Sequence, residues 1–273
     1  MEAEQDDVTD ELPRWVQLAE VDNIRDLGGL PVRGGGTTRR GVVFRASTLQ
    51  EATAQDVEVL LGRYGLRTVL DLRAPDEAAC EGHGLLADTA VRRMNLPVSR
   101  VQALVTDAVP AMTEDDGDTT GFYLGLLDGS GDSLVAAARV VADTDHHAVV
   151  FHCAAGKDRT GVLAALLLDA VGVSATAIAA DYALTAQRVV RLRARLTRFP
   201  SYRDLPAVEH AYMASEPGVM RRFLSTLHTA HGGAGRWLRD RGLTAAELAR
   251  LKEVLVAPAQ TRLGPTRPEP TCS

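Results

Sequence analysis

The sequence predicts an α/β fold with a mostly parallel central sheet flanked by helices. Two observations carry that expectation. Short β-rich runs alternate with segments of helical apolar spacing along most of the chain, the pattern that lays helices on the faces of a parallel sheet. The strongest strand, HAVVFHC (147–153), also leads almost directly into TGVLAALLLDAVGV (160–173). That helix is apolar nearly all round, so it belongs in an interior.

Each element has its own warrant. Residues 1–13 are acidic and polar and read as a flexible tail. GVVFRAS (41–47) reads as a strand, and TLQEATAQDVEVLLGRYG (48–65) as a helix stopped by Gly65. LRTVLDL (66–72) is a second strand, and VRRMNLP (91–97) a weaker one that ends at Pro97. Residues 106–121 are polar, acidic and glycine-containing. With the helix FYLGLLDG that follows, they point to an insertion or lid over 106–130. Further helices are expected at 175–196, 217–230 and 244–256. Residues 257–273 hold four prolines and little apolar content, which predicts a second flexible tail. The folded domain is therefore placed at 14–256, without an internal repeat.

Composition narrows the function. The net charge of −6 argues against a nucleic-acid or anionic-membrane binder, whose footprint would be basic. The three cysteines, Cys80, Cys153 and Cys272, are odd in number and far apart. They form neither a disulfide framework nor a metal pattern. His146 and His147 have no carboxylate at ligand spacing apart from Asp145, so no metal or other cofactor is expected. The N-terminus has no basic and apolar leader, and the longest apolar run, VLAALLL (162–168), is too short to span a bilayer. A cytoplasmic protein is expected, with signal-less export left open.

The chemistry concentrates in FHCAAGKDRTG (151–161). This stretch holds Cys153 and also Lys157, one of two lysines in a chain with 28 arginines. Cys153 closes a buried strand and Thr160 opens a buried helix, so the residues between them form a strand-to-helix loop. In open α/β sheets ligands bind there. Successive N–H groups of Ala154, Ala155, Gly156 and Lys157, with the positive end of the helix, can cradle a compact tetrahedral anion. The same field favours a thiolate on Cys153. Arg159 can grip two phosphate oxygens with its planar fork. Thr160 can donate to the sulfur, and His152 can orient the loop from behind. Asp158 is the first candidate for the general acid that protonates the leaving oxygen; it could also merely cap the helix. Lys157 reads as a compact charge at the rim that contacts substrate, or as a solvated surface charge.

HCAAGKDRTG resembles the Cys-x5-Arg signature of the cysteine-dependent protein tyrosine phosphatases. With Lys157 and Asp158 inside it, the loop is similar to that of the atypical bacterial tyrosine and lipid phosphatases. NIRDLGGL (23–30), FRAS (44–47), VLDLR (69–73), ADYALT (180–185) and GRWLRDRGLTAAELARLKEVL (235–255) match other parts of that family in order, over about residues 15–256. The resemblance implies a protein tyrosine phosphatase-like fold with a helical lid. It also implies a phosphocysteine on Cys153, and support of the loop by Arg25 and Asp26. Some members carry an aspartate after the strand that matches MNLP. Here the next one is Asp107, which favours Asp158 as the donor.

The function read from these residues is a cysteine-dependent phosphomonoesterase, foremost a protein tyrosine phosphatase with dual specificity open. Its substrate would be a phosphorylated protein, lipid or small molecule. The alternatives are a phosphoinositide or small-metabolite phosphatase on the same loop, a non-catalytic phosphoprotein-binding module and, more remotely, an arsenate reductase. AQRVVRLRARLTRFPSYR (186–203) holds six arginines and reads as a solvated helix face or as a basic wall toward acidic substrates. Phe122 and Tyr123 read as core aromatics with a lid role open. Cys80 could trap an oxidised Cys153, but nothing in the sequence brings the two together.

Overall fold

Strand β6 (Val149–His152) is buried on both faces and sits at the centre of a five-stranded sheet. The computed structural model describes residues 14–99 and 119–259. The remaining strands are β1 (Arg25–Asp26), β2 (Thr37–Thr38), β3 (Val43–Ala46), β4 (Thr68–Asp71), β5 (Arg92–Asn95) and β7 (Val256–Ala257). The sheet order is β1-β3-β6-β4-β5, in which β3, β6, β4 and β5 run parallel and β1 is antiparallel at one edge. Alternate residues of the central strands feed two cores. Val43, Leu70, Val149 and Phe151 face the larger core, while Phe44, Val69 and Val150 face the smaller one. Apolar residues on both faces are what a parallel sheet covered on both sides requires. At the open edge, β5 carries the exposed Arg92 and Arg93, charges that discourage edge-to-edge pairing.

The helices are α1 (Ala54–Glu58), α2 (Pro75–Glu81), α3 (Thr119–Gly129), α4 (Gly131–Ala142), α5 (Asp158–Ala170), α6 (Ala175–Ala183), α7 (Val189–Leu196), α8 (Pro217–His231), α9 (Ala234–Asp240) and α10 (Ala245–Leu255). Helix α5 is buried along almost its whole length, as its all-round apolar sequence predicts. Among the described residues no helix is long and apolar enough to cross a membrane.

Several boundaries differ from the sequence reading, for identifiable reasons. The helix expected at 48–65 begins only at Ala54. The Thr53 side chain accepts from the Asp56 N–H, and Asp56 accepts from the Thr53 N–H, a reciprocal cap that starts the helix there. The helix then widens into a π turn over Val59–Arg63. The helix expected at 175–196 is broken by a 3-10 turn at Leu184–Arg188, where Thr185 is buried and donates to the Asn23 side chain. Ala257, expected in the second tail, instead pairs with Thr37 in a two-stranded β2-β7 sheet. Residues 1–13, 100–118 and 260–273 lie outside the described residues. The expected lid at 106–130 is described only from Thr119 onward. That part is a core helix, with Tyr123, Leu126 and Leu127 buried against the larger core. Among the described residues, the elements that roof the cysteine loop come from residues 184–215.

Candidate active site

Residues 153–157 turn the chain from β6 into α5, and their carbonyls point away from the centre of the turn. Ala154 O accepts from the Thr48 N–H at 2.8 Å. Asn23 Nδ2 donates to Ala155 O at 2.9 Å and to Gly156 O at 3.1 Å, and Arg45 Nη2 donates to Gly156 O at 2.9 Å. With the carbonyls held outward, the N–H groups of 154–157 face the other way. None of them has an acceptor among the described residues. Together with the N-terminus of α5 they form a concavity of the kind that suits an anion. Gly156 is required here. It adopts φ +67°, and a Cβ would lie 2.3 Å from Ala46 O.

Cys153 lies at the floor of this turn, 3% exposed, and Thr160 Oγ1 donates to its sulfur at 3.2 Å. Arg159 lines the same cavity. Its Nη1 and Nη2 donate to the two oxygens of Glu77 on α2, at 2.6 and 2.9 Å. Burial alone would lower the pKa of Arg159. The charge and hydrogen bonds of Glu77, together with the Cys153 and Tyr202 groups, outweigh it and hold the guanidinium well above its ordinary value. Burial would likewise raise Glu77, but the charge and hydrogen bonds of Arg159 keep that carboxyl below its usual range.

His152 stands behind the loop. Its Nδ1–H donates to Cys153 O at 3.1 Å, and its Nε2 is 3.9 Å from Asp71 Oδ1. Burial lowers the pKa of His152. Burial of Asp71 opposes its charge, yet His152 and the hydrogen bonds from Arg73 bring its carboxyl down to about 2. Asp158 occupies the first position of α5 and makes no capping bond. It lines the cavity, accepts from the Tyr123 hydroxyl at 2.7 Å and lies 3.1 Å from Lys157 Nζ. The Tyr123 hydroxyl in turn meets the Tyr182 hydroxyl at 2.6 Å. Tyr123 is thus a core ring whose polar tip reaches the candidate acid.

Lys157 differs from its expected place at the rim. It is buried, and its ammonium donates to the carbonyls of Tyr212 and, at 3.2 Å, Ala214, over the face of the Tyr212 ring. With Asp158 as a third partner, its donors point into the roof, and its main-chain N–H is what it offers the loop. Arg25 supports the loop indirectly: it donates to Asn23 and to Asp181, and Asn23 holds the loop carbonyls. Asp26 departs from its expected role. Its carboxylate accepts from the N–H groups of Gly28 (2.7 Å) and Gly41 (2.8 Å), so it ties together the chain around β1 and β3 and does not touch the loop.

Residues 16–257 match the model of the tyrosine phosphatase family. The chain belongs to that family. This phosphatase, a phosphoric monoester hydrolase, is 30% identical over 231 residues to a Cupriavidus necator protein named, by inference, a tyrosine-protein phosphatase, with 81% of each chain covered. It is 28% identical over 266 residues to the triple specificity protein phosphatase PtpB of Mycobacterium tuberculosis, covering 80% of this chain and 92% of that one. Among solved structures, it overlaps the core catalytic domain of the PP-IP phosphatase SIW14 from S. cerevisiae. That overlap has a TM-score of 0.35 and 18% identity, and covers 54% of this chain and 74% of that one.

Several site residues of this phosphatase carried no assigned role in the sequence. Asn23, Arg45 and Asp181 lie in stretches that resemble the family, where only order marked them. In the fold, Asp181 accepts from Arg25 Nε at 3.1 Å and Arg45 Nη1 at 2.8 Å and also pairs with Arg14. Asn23 takes φ +55°, a left-handed conformation that Asn tolerates better than most residues. Glu77 and Tyr202 had no signal at all. The arginine-rich segment is neither a plain solvated face nor a free basic wall. Arg195 pairs with Glu20 and Asp22, Arg191 with Asp22, and Arg198 with Glu51, so it fastens α7 to the chain beneath. Cys80 is exposed, and both it and Cys153 are free thiols.

The cleft over Cys153 spans about 500 Å³, part of it open to solvent. Its floor is the loop and Arg159. Val189, Leu192, Leu196, Tyr202, Leu205 and Met213 form its walls, so most of its lining above the anion site is apolar.

Proposed function

We propose that this chain is a protein tyrosine phosphatase that works through a phosphocysteine on Cys153. The observation that carries the reading is the convergence of Cys153, the Thr160 hydroxyl, Arg159 and unpartnered loop amides at the floor of one cavity. The thiolate attacks phosphorus in line while the P–O bond to the leaving group breaks, and Asp158 gives its proton to that oxygen. Arg159 and the loop amides hold the three equatorial oxygens through the transition state. In the second step water attacks phosphorus, Asp158 takes its proton, and the S–P bond breaks. Thr160 O–H then stabilises the departing sulfur.

The walls support an aryl phosphate as substrate. A tyrosine ring gains from desolvation against leucine, valine and tyrosine side chains. A polyanionic inositol headgroup would need several cations, and Lys157 has turned its charge into the roof. The test is a substrate panel of phosphotyrosine peptide, phosphoserine peptide, phosphoinositides, nucleotides and sugar phosphates. The phosphotyrosine peptide is expected to have the highest kcat/KM. A phosphoinositide turned over more efficiently would replace the reading with the lipid one.

The role of Asp158 has a separate check. Asp158→Asn is expected to lower kcat on an alkyl phosphate by about 10²-fold or more, the scale of a positioned general acid. The loss should shrink when the leaving group is an activated phenol, which departs without protonation. Equal losses on both substrates would assign Asp158 a structural role.

A further inference from the structure

We infer that Tyr202 is a positioning residue, whose hydroxyl holds Glu77 in the geometry that aims Arg159 at the phosphoryl group. The inference rests on the reading of Arg159 as the phosphate clamp and adds the part of the roof that sets it.

Glu77 and Arg159 belong to the scaffold, on α2 and α5. Tyr202 does not. It ends a 3-10 turn, Pro200–Tyr202, in the chain that roofs the cavity. Its ring is fully buried in a small apolar cluster with Leu196, Leu205 and Met213. Its O–H donates to Glu77 Oε1 at 2.5 Å, the same oxygen that receives Arg159 Nη2. A second bond, from Ser201 N–H to Glu81 Oε1 at 2.8 Å, registers the turn on α2.

A guanidinium has five N–H donors in one plane. Glu77 takes one from each terminal nitrogen. The Nε–H has no acceptor among the described residues. That N–H and its neighbouring Nη–H form the second fork of the group, the shape that matches two oxygens of a phosphoryl group. The rotation of the guanidinium plane therefore follows the rotation of the Glu77 carboxylate. That carboxylate is held by Arg159 itself, by the Ala74 N–H at 3.3 Å and by Tyr202. Of these, the tyrosine bond is short and comes from outside the α2–α5 scaffold. The seating of the roof and the aim of the arginine are thus joined at one carboxylate.

Tyr202 also lines the cavity, so Tyr202→Phe is the informative variant: it keeps the wall and deletes the hydroxyl. With the full chain, kinetics on p-nitrophenyl phosphate and inhibition by vanadate would be measured for the wild type, Y202F, E77Q and the double variant. Y202F is expected to lose roughly tenfold in kcat/KM and a similar factor in vanadate affinity, the scale of one hydrogen bond to a charged group. In the double variant the tyrosine change should add nothing to the E77Q loss, because its effect runs through that carboxylate. A wall or folding role would multiply the two losses. Y202F within twofold of the wild type on both readouts, or losses that multiply, would overturn the inference. R159M separates the two levels. If R159M is inactive and Y202F is normal, only the tyrosine's role falls. If R159M keeps near-wild-type turnover, the clamp reading falls as well.

Discussion

Cys153→Ser abolishes turnover and leaves phosphate binding in place: that is the expected result with the largest effect on activity. Deleting a covalent nucleophile costs on the order of 10⁴–10⁶ in rate. A serine hydroxyl stays protonated near neutral pH, and the hydrogen-bond partner seen on the sulfur among the described residues, Thr160 O–H, gives a hydrogen bond and does not take a proton. The anion site is built from main-chain N–H groups and Arg159, none of which changes in the variant. Inorganic phosphate should therefore bind C153S with an affinity close to that of the wild type. Steady-state kinetics and titration calorimetry check the two halves. Near-wild-type turnover would remove cysteine from the mechanism, and loss of phosphate affinity would place the anion site elsewhere.

Asp181→Ala should give the largest loss of stability. Asp181 is 1% exposed and lies between Arg25 and Arg45, themselves 0% and 1% exposed. Removing it leaves two buried guanidiniums without their anion, a change that costs about 3–5 kcal/mol. For a chain of this size that corresponds to a melting point lower by roughly 6–20 °C. The loop should suffer as well, because Arg45 holds Gly156 O and Arg25 holds Asn23. The effect has a pH signature. Burial opposes the charge of Asp181, but Arg25, Arg45 and Arg14 hold its carboxyl well below the usual range. A carboxyl lowered on folding contributes stability that is fully present above its unfolded value, near 4. That stability is lost as pH falls from there toward the folded value. Asp71, brought down to about 2, acts in the same window. Wild-type stability in urea should therefore drop steeply below about pH 4, and D181A should show a shallower drop. A variant as stable as the wild type at pH 7 would mean that the three arginines are satisfied without it.

The seven residues from Cys153 to Arg159 were legible as one strand-to-helix loop before any fold was known, because the candidate nucleophile, the amides, the arginine and the helix start are contiguous. A strand before them and an apolar helix after them set where the loop begins and ends. The parallel sheet was legible for a related reason: residues apolar on both faces of β3, β4 and β6 need cover on both sides. The direction of a long side chain is different. Lys157 turned from the rim into the roof because two free carbonyls, Tyr212 and Ala214, arrive from 55 and 57 residues away.

By itself, then, the sequence determined the α/β architecture and the strand-to-helix loop from Cys153 to Arg159 on which the proposed chemistry rests. Only the tertiary structure decided how they are held: Glu77 on Arg159 across 82 residues, Tyr202 on Glu77 across 125, and Asp181 on Arg45 across 136. The physical reason is that local backbone geometry follows from neighbours in sequence. The partner of a buried charge follows from which distant segments exclude water from the same spot, and no local pattern records that.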